Sequence, residues 1–166
     1  MVGLMSDTHD RLSYVDRAVE RLNAEGVELV LHAGDYIAPF AAQKLGGLEA
    51  KVVGVLGNND GDAELLKKRF EGFGGELRGP FAEVQVDGLR IALLHGHLTE
   101  LLNSLVSCGG YQVVVHGHTH KAEVRRVGET LVVNPGEVCG YLSGKSTVAV
   151  LDTKTLEVRL IELRAF

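Results

Sequence analysis

Three histidines stand at alternate positions in His116-Gly117-His118-Thr119-His120, directly after the apolar run 113–115. In an extended segment alternate side chains share a face, so the imidazoles can project one way until Gly117 lets the backbone turn. His-rich tracts bind metal ions readily, though with little selectivity of their own. This tract has company, because Asp7, His9, Asp35, Asn58 and His95 also stand where apolar runs stop. Carboxylate and amide oxygens mixed with imidazoles suit manganese, iron, nickel or zinc.

The elements that must carry these residues can be read from periodicity. The apolar run 2–5 ends in Ser6-Asp7-Thr8-His9-Asp10, the run 28–31 ends in His32-Ala33-Gly34-Asp35, and the run 51–56 ends in Gly57-Asn58-Asn59-Asp60. Between them, Val15, Ala18, Val19 and Leu22 recur at helical spacing up to a stop at Gly26, and residues 40–48 form a second amphipathic stretch. Strand, polar loop and helix in repetition predict parallel strands with right-handed crossovers, whose carboxyl ends share one edge. Asp7, Asp35 and Asn58 are therefore expected to converge.

A helix over 63–70 is followed by Gly72-Phe73-Gly74-Gly75, after which the pattern changes. Residues 81–86 alternate, Asp87-Gly88 is a hairpin turn, and a buried strand over 90–94 delivers His95-Gly96-His97. A helix over 98–106 precedes the strand that delivers the histidine tract. The remainder reads as strands 122–127, 130–133, 147–151 and 156–163, with a loop at Asn134-Pro135-Gly136. Asp10 and Asp60 read as caps of the helices that follow them, and Asp60 equally as a group that orients a ligand histidine from behind. Lys67-Lys68-Arg69 reads as a solvated helix face.

With 166 residues and 17.9 kDa the chain suits one domain, 1–166, around one core. Its 45% hydrophobic and 23% charged residues are those of an ordinary globular protein. The net charge of -5 argues against nonspecific nucleic-acid binding, which calls for a basic surface. Cys108 and Cys139 lie far apart without CxxC spacing and read as free buried thiols, as in a reducing cytosol. Met1-Val2-Gly3-Leu4-Met5 reaches Asp7 too soon for a signal or membrane segment, so cytoplasmic residence is expected.

Asp7-x-His9, Gly34-Asp35, Gly57-Asn58-Asn59-Asp60, His95-Gly96 and Gly117-His118-Thr119-His120 come in the order and spacing of the calcineurin-like metallophosphoesterases. The chain resembles that family over nearly its whole length, and most of all the small bacterial and archaeal phosphodiesterase branch. The resemblance implies an α/β fold: a four-layer αββα sandwich, two mixed sheets face to face with helices outside. It implies that Asp7, His9, Asp35 and His120 hold one metal and that Asp35, Asn58, His95 and His118 hold another, with Asp35 bridging. Two divalent ions against two carboxylates and a bridging hydroxide leave one positive charge, enough to attract a phosphate ester to an acidic protein. The implied chemistry is in-line attack of the dimetal-bridging hydroxide on phosphorus. Manganese is favoured, with nickel, iron and zinc as alternatives.

Departures from the family pattern bear on the substrate. Many members carry a histidine where this chain has Asn59, and an amide can donate a hydrogen bond but cannot act as a general acid. A phosphodiester with a good leaving group is therefore expected over a monoester, the proton coming from water or His97. Glu137 stands where relatives commonly have serine, and the sequence assigns it no task. His32 and His116 are expected behind the site, His116 orienting a ligand. The rival reading is a weak or inactive scaffold for protein interaction, like the retromer subunit that shares the fold. That subunit departs at ligand positions, whereas every slot here holds a suitable residue. A single structural metal without turnover is the third reading, disfavoured by the lack of cysteine among the candidate ligands. The sequence leaves room for a homo-oligomer.

Overall fold

The computed structural model of the chain describes residues 1–164; Ala165 and Phe166, the end of the expected domain, lie outside the described residues. The chain opens with β1 (Val2–Met5), α1 (Leu12–Ala24) and β2 (Leu29–His32). There follow α2 (Pro39–Lys44), tightening into a 3-10 turn (Leu45–Gly47), then β3 (Lys51–Val55), α3 (Ala63–Gly72) and β4 (Glu76–Arg78). β5 (Phe81–Val86) and β6 (Leu89–Leu94) form a hairpin before α4 (Thr99–Ser107) and β7 (Val113–Val115). The chain then builds β8 (Glu123–Val127), β9 (Thr130–Asn134), β10 (Thr147–Leu151) and β11 (Val158–Glu162).

These strands make two mixed sheets, one ordered β11-β10-β1-β2-β3-β4 and the other β5-β6-β7-β9-β8. Alternation along the strands sorts side chains into layers. Val2 and Leu4 of β1, Leu31 of β2, and Val53 and Val55 of β3 face the other sheet, where they meet Ile91, Leu93, Val113, Val115, Leu131 and Val133. Met5, Val30 and Val52 face outward onto Val15, Ala18 and Leu22 of α1 and Leu66 and Phe70 of α3. On the far side Leu102 and Val106 of α4 cover Ala92, Leu94, Val114 and Val132. The result is the αββα sandwich implied by the sequence.

Register is what brings the polar loops together. Met5 pairs with His32 and His32 with Gly54, so the three parallel strands β1, β2 and β3 end level. In the second sheet Leu93 pairs with Val115 and Val115 with Val133, so β6, β7 and β9 end level as well. The Asp87-Gly88 turn has φ of 50° and 80° at its central residues, the left-handed pair that matches hairpin twist.

β4 has only three residues between Gly-rich segments, too few to show a period of two in the sequence. One expectation about local structure is corrected. Neither Asp10 nor Asp60 caps a helix with its side chain: Arg11 holds the N-cap position of α1 without a side-chain cap, and α3 is capped by Asp62, which accepts from Leu65 N at 3.0 Å. Among the described residues no helix is long and apolar enough to cross a membrane.

Phe70 is fully buried, with its ring 5.4 Å from Tyr36 and 5.2 Å from Phe73, and a Cβ at Gly54 would press on it. It locks α3 against β3 and the loop after β2. Phe70→Ala is expected to lower stability by about 3–5 kcal/mol, read as a shift in the urea midpoint; an unchanged midpoint would show that α3 does not clamp this edge.

Candidate metal centre

The chain leaves β1 at Ser6 and turns at once. Asp7 N donates to Gly34 O at 3.0 Å and His9 N to Asp35 O at 2.9 Å, lacing the loop after β1 to the loop after β2. Cys139 N donates to Asp7 O at 3.0 Å, and His118 N to Asp7 Oδ2 at 3.1 Å, drawing in segments that follow β9 and β7. A Cβ at Gly117 would collide with Ser6 Oγ and crowd Asp7, and one at Gly57 would collide with Asp35 Oδ1. Only glycine lets these loops approach so closely.

Asp7, His9, Asp35, His95, His118 and His120 converge. His95 Nε2 lies 3.3 Å and His9 Nε2 3.8 Å from Asp35 Oδ2, and His120 Nε2 lies 3.3 Å from Asp7 Oδ1. Asp7, Asp35 and His95 each offer a donor atom within 4.8 Å of the other two. The His118 ring centroid is 5.2 Å from that of His95, and the His97 centroid 5.5 Å from it. Asn58 is exposed in the loop after β3, one residue before Asn59.

Two features of this cluster point to a cation. Asp7 Oδ1, His9 Nε2 and His95 Nε2 are buried and have no hydrogen-bond partner, a costly condition for polar atoms. Asp7, His9, Asp35, His118 and His120 also hold φ between 45° and 67°. That left-handed conformation disfavours side chains with a Cβ and recurs at functional sites. Nitrogen and oxygen donors with free lone pairs on pre-set backbone fit a divalent transition ion.

Charge follows the same geometry. Burial raises the Asp7 carboxyl above its usual pKa, against hydrogen bonding from Ser6 and the nearby His95 and His120. Burial would raise Asp35 too, but His95 and the donors of Asn59 bring it well below the carboxylate range. His97 is lowered, chiefly by desolvation and then by His95 and His118, so its ring tends to be neutral.

Surrounding groups have tasks that spacing did not disclose. Asn59 donates from its backbone to Asp35 Oδ1 at 3.0 Å and from its side chain to Oδ2 at 2.7 Å, gripping the carboxylate. Asp60 accepts the amides of Asp35, Tyr36, Ile37 and Gly57 at 2.7–3.0 Å, so it pins the loop after β2 to the loop after β3. Asn134 donates to Gly117 O and Thr119 Oγ1, both at 3.0 Å, holding the histidine tract. Glu137 is fully buried against His120 Nδ1 at 2.6 Å; burial would raise its pKa, yet hydrogen bonds from His120, Ser143 and Cys139 hold it at about 2. Cys139 is a buried free thiol as expected, whereas Cys108, at the exposed end of α4, is not buried. Burial and the neighbouring Glu137 keep the Cys139 thiol firmly protonated, which disfavours it as a ligand.

An αββα sandwich with such donors gathered on one rim is an architecture suited to metal-assisted hydrolysis. A model of the calcineurin-like phosphoesterase superfamily domain matches residues 1–156, and the chain belongs to that superfamily. A phosphodiesterase of Methanocaldococcus jannaschii is 40% identical over 163 residues, covering 98% of this chain and 98% of that protein. The Escherichia coli phosphodiesterase YfcE is 28% identical over 174 residues, covering 95% of this chain and 91% of its own. A solved structure, described as a novel archaeal phosphodiesterase, superposes with a TM-score of 0.93 at 40% identity, covering 98% of this chain and 99% of that one.

His32 sits behind the site, as expected, and yields a pH signature. Its ring is fully buried and stacked on Tyr36 at 4.1 Å; Nδ1 accepts from Gly34 N at 3.0 Å, and Nε2 is 3.2 Å from Thr8 Oγ1. Burial, then the charge of His95, lowers its pKa from 6.5 to about 3. The folded chain keeps it neutral while the unfolded chain binds a proton near pH 6.5, so its stabilising contribution is complete above that pH. As pH falls from 6.5 towards 3 the contribution is lost, at about 1.4 kcal/mol per unit. In metal-stripped protein, urea midpoints are expected to fall more steeply between pH 6 and 4 for wild type than for His32→Asn; parallel slopes would refute the assignment.

Proposed function

We propose that the chain is one metallophosphoesterase domain acting as a phosphodiesterase on a small phosphate ester with two divalent ions. Asp7, His9, Asp35 and His120 would hold one ion, and Asp35, Asn58, His95 and His118 the other, with Asp35 shared. The observation that carries the reading is the set of unpartnered buried atoms, Asp7 Oδ1, His9 Nε2 and His95 Nε2, at a rim where Asp35 lies 3.3 Å from His95. When bound, such ions supply a nucleophilic water at neutral pH and neutralise charge on phosphoryl oxygens. Manganese is the favoured ion, with nickel, iron and zinc as alternatives, and the cytoplasm the favoured location.

The chain's own residues divide the remaining work. Asn59 acts through Asp35, holding both carboxylate oxygens in place, so it is a positioning residue. The His97 ring stands 6.2 Å from that of His118, with Nδ1 buried and unpartnered, and would be the nearest imidazole outside the ligand set to a bound ester. With its pKa lowered it carries few protons at neutral pH, which supports substrates whose leaving group departs without help. The M. jannaschii and E. coli relatives named phosphodiesterases support a diester over a monoester. The scaffold alternative lacks comparable support, because every proposed ligand position retains a donor.

Metal-stripped protein should not hydrolyse an activated aryl phosphodiester and should regain activity on adding manganese, faster on the diester than on the matching monoester. Activity unaffected by chelation would remove the metal reading, and a monoester preference would reverse the substrate class. Asn59→His should raise turnover on esters of poor leaving groups relative to good ones by about tenfold or more. Equal effects across a leaving-group series would argue against a missing proton donor.

A further inference from the structure

Glu137 is the buried charge that the phosphodiesterase reading leaves without a task. Its Oε2 meets His120 Nδ1 at 2.6 Å and accepts from Cys139 Sγ at 3.0 Å, Tyr141 N at 2.9 Å and Leu142 N at 3.2 Å. Its Oε1 accepts from Leu142 N at 3.1 Å and Ser143 N at 2.5 Å. An ionised carboxylate only accepts, so the contact with His120 requires a proton on Nδ1. In the neutral ring Nε2 then carries a lone pair, and it faces Asp7 Oδ1, itself without a hydrogen-bond partner, at 3.3 Å. Two lone pairs at that distance repel unless a cation lies between them.

The same carboxylate reaches the wall of the site. The amides of Tyr141, Leu142 and Ser143 close on it in succession, a backbone arrangement that binds anions. The loop so tethered sets the Tyr141 ring edge-on to His9, with centroids 6.0 Å apart, and its hydroxyl donates to Asp10 Oδ1 at 3.1 Å. Arg11 lies over Tyr14 at 3.9 Å and near Tyr141 at 5.6 Å, and its guanidinium donates to Cys139 O. One buried side chain thus joins a candidate ligand, His120, to a loop whose Tyr141 ring packs against another, His9.

We propose that Glu137 is a positioning residue: it fixes His120 with Nε2 as the metal donor and fastens the Tyr141 loop to that ligand, coupling metal affinity to loop position. This rests on the two-metal reading. Partners of this kind orient ligating histidines and strengthen them as donors, and losing one costs about 10–100-fold in affinity. Glu137→Gln is nearly isosteric, but its NH₂ would face N–H donors and take away acceptors that His120 and the loop share.

The test begins with calorimetric titration of zinc into the metal-stripped full chain. Wild type should take up two ions, whereas Glu137→Gln should keep one site near wild-type affinity and weaken the other about 10–100-fold. Amide hydrogen exchange at residues 141–143 should accelerate at least tenfold in the variant. Wild type taking up no ion would overturn the two-metal reading and this inference with it. Two ions bound by the variant with wild-type affinity, even if it melts earlier, would overturn this inference alone. Should the variant fail to fold, long-range proton–nitrogen spectra of zinc-loaded wild type decide the matter. A proton on His120 Nδ1 with the metal on Nε2 supports the proposal, and the reverse arrangement defeats it.

Discussion

Two carboxylates, Asp7 and Asp35, are held buried at one rim by backbone that is unfavourable for any residue with a side chain, and the local structure follows from keeping them there. Asp7 is fully buried and Asp35 nearly so, with φ of 51° and 62°. Like charges so placed repel, and each pays for desolvation. The surroundings offset this only in part. Ser6 and the His118 amide serve Asp7, while Asn59 serves Asp35, yet Asp7 Oδ1 and His95 Nε2 are left unpartnered. A cation shared between the two carboxylates would complete the electrostatics.

The fold supplies this arrangement through register more than through any individual contact. Because β1, β2 and β3 end level, and β6, β7 and β9 end level in the facing sheet, every loop leaving those ends arrives at the same rim. Three tethers then set the loops relative to one another. Asp60 joins the loops after β2 and β3, Asn134 secures the histidine tract, and Glu137 holds His120 together with the 141–143 segment. All are polar side chains that bind backbone amides or carbonyls, the usual means of fixing irregular chain.

Much of this was legible in the sequence because its signals were of the right length. Runs such as 2–5, 28–31 and 51–56, each broken by polar residues, announce buried parallel strands and locate Asp7, Asp35 and Asn58 at their ends. Other features left no such trace. β4 is too short to have a period. Asp60 resembles a helix cap in sequence, since nothing local reveals that the amides of residues 35–37 will turn towards it. Glu137 and His120 lie 17 residues apart, and only the pairing of β7 with β9 brings their loops together. Asn59 reads as a substitution for histidine, but its grip on Asp35 depends on the close approach of the two loops that Gly57 allows.

Anomalous diffraction from crystals of the full chain grown with manganese tests the central claim most directly. The account predicts two manganese peaks per chain about 3.5–4 Å apart, with the Asp35 carboxylate between them, Asp7, His9 and His120 around one and Asn58, His95 and His118 around the other. A lone peak, or peaks away from Asp35, would contradict it.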